Sequence, residues 1–598
     1  MGGRQKGERS PSRELEKRSL NLGHWVHWVG VLGFIGFKLN KLDKPNEPKK
    51  PDNSKGSMLK KLPFITLDHI TVRLPDRLMF ENTSWKIHSD EHWAILGPNG
   101  SGKSTFVRSL WGGVPLRSGR ILLHFSDSKK EGDAQRDAIG YVSFETHQRL
   151  MEHEEMQEDL RAFANKTDDV TTAEDVIFSG ILSNRGLTSA DKVRCEEVAD
   201  LLDLRSLLGQ NITSLSTGEM RKTLITRALI KAPKLLILDE PFDGLDETAH
   251  RSLSKSIDHL MTGSVRVILV VHRLEEIVPN ISHVLFIREG RLFMEGPKER
   301  MLTSENISQL YGCELHLERD NGKYSVAFGD DGRKAVDTPS VAAGTYCDHP
   351  EVLIEMKDTT VQYEGVVVLD HLTWVMRRGE NWAILGPNGS GKSTILRLIL
   401  GDNLQGYANQ VILFGRQKGT GETLWEIKKR IGAVSSELQI QYRKKMSAYD
   451  VIASGFYDSI GLYQYPTPEQ KKIVNQWVEL LCIEDIAGQP FHHLSYGQKR
   501  MILLARAMVK SPALLIVDEP CHGLDIPNRK RVLDILERIG QTQTSLLYVT
   551  NLKDEIPNCV THVMRLQKGK VLNQGKKEEV FRKAVKTEPH KSHQVHPS

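Results

Sequence analysis

The sequence predicts an α/β chain made of two phosphate-loop domains in tandem, and three observations carry that prediction. The pattern G-x-x-x-x-G-K-S occurs twice, as Gly97-Pro98-Asn99-Gly100-Ser101-Gly102-Lys103-Ser104 and as Gly386-Pro387-Asn388-Gly389-Ser390-Gly391-Lys392-Ser393. Each copy stands between a short apolar run, Trp93–Leu96 or Trp382–Leu385, and an amphipathic stretch that continues with Thr105 or Thr394. That is the strand–loop–helix setting the pattern requires. Further on, each half has an apolar run that ends in two acids, Asp239-Glu240 and Asp518-Glu519. Continuous apolar runs separated by helical stretches read as parallel strands buried on both faces.

The loops come first because their chemistry is the most specific. Glycines let successive backbone N–H groups turn toward phosphate oxygens, and the following helix points its positive end at the same anion. Lys103 and Lys392 reach the outer phosphates, and the hydroxyls of Ser104 and Ser393 suit Mg²⁺. The two loops stand 289 residues apart, from Lys103 to Lys392, and Thr71 aligns with Thr360 at the same offset. After the loops, each half carries a short motif, Leu215-Ser216-Thr217-Gly218-Glu219 or Leu494-Ser495-Tyr496-Gly497-Gln498. The acidic pair follows, with Glu240 and Glu519 each 24 residues beyond the motif serine. An aspartate at the end of a buried strand can hold Mg²⁺ through water, and the glutamate after it can orient or deprotonate an attacking water. Asp239 and Asp518 fit the first role, Glu240 and Glu519 the second.

Bulk composition narrows the remaining choices. The chain has 598 residues, 39% hydrophobic and 26% charged, with a net charge of +5. It is too long for one core, and its charge does not argue for a nucleic-acid-binding surface. Six scattered cysteines with no C-x-x-C argue against a disulfide framework and a zinc or iron–sulfur site, and fit a reducing compartment. In chain order the reading is an N-terminal extension over 1–61, a first domain over 62–314, a linker over 315–350, a second domain over 351–580 and a disordered tail over 581–598. Residues 20–39 are apolar and aromatic but interrupted by Asn21, His24, His27 and Lys38. A leader with little function, a membrane anchor and an organelle presequence are all open readings, so a cytoplasmic location stands beside a mitochondrial or membrane-associated one. The first half holds ten extra residues, centred on the acidic stretch 150–169, which reads as a solvated loop or a partner-docking element.

Taken together, these motifs in this order resemble the ABC-type ATPases, with two nucleotide-binding domains fused head to tail over about residues 62–580. The resemblance implies a RecA-like core, an antiparallel β subdomain and an α-helical subdomain in each half. It also implies two Mg²⁺-ATP molecules held where the domains pair within one chain. Each site would join one phosphate loop to the other half's motif: Ser495 and Gly497 facing the first loop, Ser216 and Gly218 facing the second. The family's switch histidine is His272 in the first half, where the second has Asn551. Asparagine donates a hydrogen bond but carries no charge, so the second site is expected to hold ATP and turn over slowly. The family's base-stacking aromatic is Tyr363 in the second half, where the first has Leu74. Its glutamine-loop position holds Phe144 and Ser436, with Gln148, Gln439 or Gln441 slightly later.

No run of spanning segments marks this chain as a transporter by itself. The linker is short and not basic, and residues 1–60 contain no cysteine, which separates the chain from translation-factor and ribosome-recycling types. It is most similar to the duplicated, stand-alone ATPases of the molybdate-operon and photorepair-associated type. That likeness rests on Val434-Ser435-Ser436, Leu494-Ser495-Tyr496-Gly497-Gln498-Lys499-Arg500 and Pro520-Cys521-His522-Gly523-Leu524-Asp525. Two functions are therefore expected as alternatives. One is an ATP hydrolase driving a separate partner such as a membrane permease. The other is an ATP-gated binding module with little turnover.

Overall fold

The computed structural model describes residues 62–125, 138–163, 170–181, 187–320, 323–328, 350–363, 365–421, 423–435, 438, 439, 442 and 446–587. The first half runs β1 Pro63–Arg73, β2 Leu78–His88, β3 Trp93–Leu96, β4 Leu116–Leu123, β5 Ile139–Ser143, β6 Leu235–Asp239, β7 Arg266–Val270, β8 His283–Arg288 and β9 Arg291–Pro297. Its main sheet has the order β5-β6-β7-β3-β8-β9, parallel except for β9. The apolar runs sit at its centre because their residues are covered on both faces: every residue of β3 and β6 is buried. The carboxyl ends of β3, β6 and β7 therefore lie side by side, and they deliver the phosphate loop, Asp239 and His272 to one edge. That edge is where open α/β sheets bind ligands.

The second half repeats the plan after a hairpin of β10 Leu315–Asp320 and β11 Lys323–Phe328. Its strands are β12 Val352–Tyr363, β13 Val366–Arg377, β14 Trp382–Leu385, β15 Gln410–Leu413, β16 Arg416–Gln417, β17 Ile431–Val434, β18 Leu514–Asp518, β19 Ser545–Thr550, β20 His562–Gln567 and β21 Lys570–Lys576. The main sheet has the order β17-β18-β19-β14-β20-β21. Against one face of each main sheet lies an antiparallel sheet, β2-β1-β4 in the first half and β13-β12-β15-β16 in the second. Tryptophans join the layers. Trp85 meets Trp93 edge-on at 5.0 Å, and Trp374 meets Trp382 at 5.5 Å. Phe106, on the helix Lys103–Leu110 that follows the loop, packs on Trp85 at 5.4 Å. The phosphate loop is thereby clamped between a strand and a helix that share one core.

Short capped helices fill the other face. Thr172 and Thr188 each close a capping box with an aspartate three residues on, and such caps satisfy N–H groups a helix end would leave open. Ser216 and Ser495 do the same with Glu219 and Gln498, so the two short motifs are the N-termini of the helices Thr217–Leu229 and Tyr496–Met508.

Two boundary expectations change, and the acidic insertion takes a defined form. The stretch expected to begin the linker at 315 is the β10–β11 hairpin, with Leu315 and Tyr324 buried in the first half's core. Alternating Leu315, Leu317, Tyr324 and Val326 provide its apolar face. The tail expected from 581 continues the helix Lys577–Thr587, and the rest of it lies outside the described residues. The described part of the acidic insertion, 150–163, belongs to one helix, Phe144–Phe163, where Glu158 accepts from Asn211 at 3.0 Å and Thr213 at 2.8 Å. Residues 164–169, most of the linker and the whole extension 1–61, with its apolar stretch, lie outside the described residues.

Candidate ATP sites

Both loops are shaped for an anion. Gly102 and Gly391 sit at φ +102° and +101°, and a Cβ there would come within 2.4 Å of Met79 and 2.6 Å of Leu369. The helices that follow have no side-chain cap and no acid in the first turn, so their positive ends face the loop uncompensated. Lys103 is buried and donates to the carbonyls of Gly97 at 2.8 Å and Pro98 at 3.2 Å. Lys392 repeats this with Gly386 at 2.7 Å and Pro387 at 3.0 Å. Burial lowers the pKa of both lysines against the carboxylates around them. Ser101 Oγ and Ser390 Oγ are buried with no hydrogen-bond partner among the described residues. Buried donors beside an uncompensated helix end are chemistry that suits an anion.

The acidic pairs stand beside the loops. Asp239 is buried at the end of β6, where it accepts from Ser104 Oγ at 3.1 Å and Tyr141 Oη at 2.9 Å. Tyr141 is itself stacked on Trp111 at 5.0 Å. Burial, with the Glu240 charge beside it, pushes the Asp239 carboxyl up. Glu240 and Glu519 both adopt left-handed backbone, at φ +56° and +44°. Non-glycine residues pay about 1–3 kcal/mol for such a conformation, which concentrates at functional positions. Glu240 is 2.7 Å from His272 Nε2. Burial alone would raise the Glu240 carboxyl, but the charge and hydrogen bond of His272 outweigh it and hold the carboxyl well below its usual range. The histidine's own pKa is raised: burial opposes its charge, and Glu240 overcomes that. Each group thus favours the charged form of the other.

The halves meet head to tail. Asn99, in the first loop, donates its backbone N–H to Asp525 at 2.6 Å and its amide to the Gly523 carbonyl at 2.8 Å. Asn388, in the second loop, donates to Asp246 at 3.1 Å and to the Gly244 carbonyl at 2.8 Å. Asp246 and Asp525 also cap the helices Glu247–Leu260 and Ile526–Ile539. One carboxylate thus fixes a helix start and the opposite loop together. In the sequence these aspartates read only as turn residues; the signal was their recurrence at a fixed distance after each acidic pair.

The two sites differ in their polar groups. Asn551 donates across the interface to the Leu245 carbonyl at 3.2 Å, whereas His272 pairs with its own Glu240. Ser216 donates its hydroxyl to the Glu219 carboxylate at 2.7 Å, whereas Ser495 donates its backbone N–H to the neutral amide oxygen of Gln498 at 2.8 Å. Ser393 is exposed, and Asp518 is half-buried at the end of β18. Tyr363 ends β12 with 44% of its surface exposed, and its hydroxyl accepts from Asn403 at 2.9 Å. Leu74 is partly buried against the first half's β core. Of the glutamine candidates, Gln148 is exposed on the helix Phe144–Phe163, and Gln439 Oε1 is buried without a partner among the described residues. Gln441 and Ser436 lie outside the described residues.

Comparison with known proteins agrees with this arrangement. The family model described as ABC transporter matches residues 80–243 and 369–522, one stretch per half. The chain belongs to the ABC transporter family. A family relative, the ABC transporter ATP-binding protein ModF of Escherichia coli, is 38% identical over 498 residues, covering 82% of this chain and 94% of ModF. An ABC transporter ATP-binding protein of Schizosaccharomyces pombe is 26% identical over 521 residues, covering 86% of this chain and 99% of its own length. The tandem fold also matches the archaeal ribosome recycling factor, solved with a ribosomal stalk protein, at a TM-score of 0.51. That match has 16% identity and covers 87% of this chain and 92% of the other; at that identity it speaks for the fold alone.

Proposed function

We propose that this chain binds two Mg²⁺-ATP molecules between its halves, hydrolyses ATP at the first site, holds it at the second, and drives a separate protein partner. The observation that carries this reading is the reciprocal seating of Asp525 on the first phosphate loop and Asp246 on the second. It supports a paired arrangement in which Ser495 and Gly497 serve the first site and Ser216 and Gly218 the second. The loop backbones, Lys103 and Lys392 would hold the phosphates, with Tyr363 against the base in the second site. Ser104 with Asp239, and Ser393 with Asp518, would hold Mg²⁺, whose chemistry there is to neutralise charge on the outer phosphates.

In the first site, His272 and Glu240 form a latch. An incoming γ-phosphate competes for the imidazolium, and Glu240, released as a carboxylate, can then take a proton from water. In the second site, Asn551 is committed to Leu245 and carries no charge. The Ser216 hydroxyl is tied to the Glu219 carboxylate, a charge that the Gln498 counterpart lacks. Both features favour holding over turnover. No described helix is long and apolar enough to cross a membrane. The relatives, which are transporter ATP-binding proteins, support the same reading.

Phosphate release by the purified chain should depend on Mg²⁺ and fall to background in the double variant Glu240→Gln/Glu519→Gln. Equal rates for that variant and the wild type would leave the ATP-gated module with little turnover. A second measurement addresses the base. Stacking on an aromatic ring contributes about 1–3 kcal/mol per base, so Tyr363→Leu should weaken a fluorescent ATP analogue by roughly tenfold or more. With Lys103→Ala isolating the second site, no change in that titration would remove Tyr363 from the base-binding role.

A further inference from the structure

On one edge, the end of β12 that carries Tyr363 is held by side chains rather than by a neighbouring strand. The β12–β15 ladder runs only from Ile354↔Leu413 to Lys357↔Gln410. Beyond it, amides from the segment 403–409 take over. Asn409 accepts from the Thr360 N–H at 2.9 Å and donates to the Thr360 carbonyl at 3.0 Å. Gln405 does the same for Gln362, at 3.1 Å and 2.7 Å. A primary amide has both a donor and an acceptor, so each of these side chains imitates the pair of bonds that a strand residue would make. Asn403 is the next in the series, and it grips a side chain instead: its Nδ2 donates to the Tyr363 hydroxyl at 2.9 Å.

Asn403 is itself fixed from behind. It is 6% exposed. Its Oδ1 accepts from the Gln405 N–H at 2.9 Å, and its own N–H donates to the Arg397 carbonyl at 3.2 Å. Arg397 lies in the last turn of the helix Lys392–Leu400, which begins at the second phosphate loop. A chain of bonds therefore runs from the phosphate-loop helix through Asn403 to the Tyr363 ring. Tyr363, with 44% of its surface exposed, has room to change rotamer, and its bond to a buried amide opposes that.

The first half holds the same strand end in another way. At the 289-residue offset of the repeat, Leu74, Val114 and Leu116 stand where the second half has Tyr363, Asn403 and Gln405. There the ladder itself reaches the strand end: Val72 pairs with Leu116, and Arg73 donates to the Pro115 carbonyl at 3.2 Å. A plain ladder is thus enough to hold the strand. What the amide series adds is a grip on the tyrosine ring, which a ladder cannot supply.

We propose that Asn403 is a positioning residue of the second ATP site: it sets the Tyr363 ring at a fixed place relative to the phosphate loop, so that the base and the phosphates of one nucleotide are engaged together. The inference rests on the reading that Tyr363 stacks on the base. A ring already in place loses less freedom when the nucleotide binds, which strengthens the hold of this site on the nucleoside end.

The test is a titration of the full chain carrying Lys103→Ala, which isolates the second site. It uses a fluorescent ATP analogue and, by competition, inorganic tripolyphosphate, which has no base. Asn403→Leu should weaken the nucleotide by about three- to tenfold, the scale of one neutral hydrogen bond, and leave tripolyphosphate within about twofold. Tyr363→Phe keeps the ring and removes the hydroxyl; it should show the same loss, and adding Asn403→Leu to it should weaken binding no further. An equal loss for tripolyphosphate would mean that Asn403 only supports the phosphate-loop helix, and would overturn the inference. So would unchanged nucleotide binding in either single variant, or additive losses in the double variant. In each of these cases a loss in Tyr363→Leu leaves the stacking reading standing; no loss in Tyr363→Leu would overturn both.

Discussion

Glu240→Gln alone is expected to lower steady-state ATP hydrolysis by about 10²–10³-fold, the scale of losing a general base, while Glu519→Gln leaves most of the rate. The asymmetry follows from what each glutamate touches. Glu240 is held as a carboxylate by His272 at 2.7 Å, ready to act once the histidine turns to a phosphate. Glu519 has no such partner at position 551, where Asn551 spends its amide on the Leu245 carbonyl. In the Glu240→Gln background, Asn551→His should raise the residual rate by about tenfold. That is short of the 10²–10³ typical of a restored stabilising donor, because the Ser216 hydroxyl proposed to serve that site stays tied to Glu219. Phosphate release measured for the two single variants decides the matter: equal losses would show two equivalent sites.

The sequence showed these sites unevenly, for physical reasons. The phosphate loops and the acidic pairs are local features: a run of glycines, one lysine and a strand ending in two acids carry their chemistry within a few residues. The buried parallel strands of each main sheet follow from the same elements, because a phosphate loop must leave such a strand. What stayed hidden is non-local. Asp246 and Asp525 read as turn residues, and only the docked halves show each of them holding the opposite loop. Tyr141 sits two residues into a strand and gives no sign of reaching Asp239 at 2.9 Å. The hairpin at 315–328 was masked by its polar alternation, which resembles a linker until Leu315 and Tyr324 are seen against the core. Phe144 was visible as a departure from the family pattern, but its neighbour His522, 378 positions away, was not.

Neutralising Glu555 should have the other large effect, on closure of the halves. Glu555 is 4% exposed and pairs across the interface with Arg273, which directly follows His272. Arg529 of its own half lies 3.7 Å from the same carboxylate, and Thr550, next to Asn551, donates to it at 3.3 Å. One buried carboxylate therefore ties together the two segments that carry His272 and Asn551. The link runs one way only, since the second half has Leu552 where the first has Arg273. Glu555→Gln leaves two guanidinium groups facing each other. Removing one partner of a buried pair costs about 3–5 kcal/mol. The lower end applies here, because Arg273 and Arg529 keep 20% and 19% of their side-chain surface in water. A loss of about 3 kcal/mol corresponds to a shift of roughly 10²-fold in the closing equilibrium, readable as the ATP concentration that brings fluorophores on the two halves together. Arg273→Met alone should cost less, because Glu555 keeps Arg529. Replacing all three by apolar residues should recover most of the closure, since an apolar contact of similar volume carries no desolvation cost. Unchanged closure in Glu555→Gln would mean that the halves are held by the loop–aspartate contacts alone and that the two switch segments move independently.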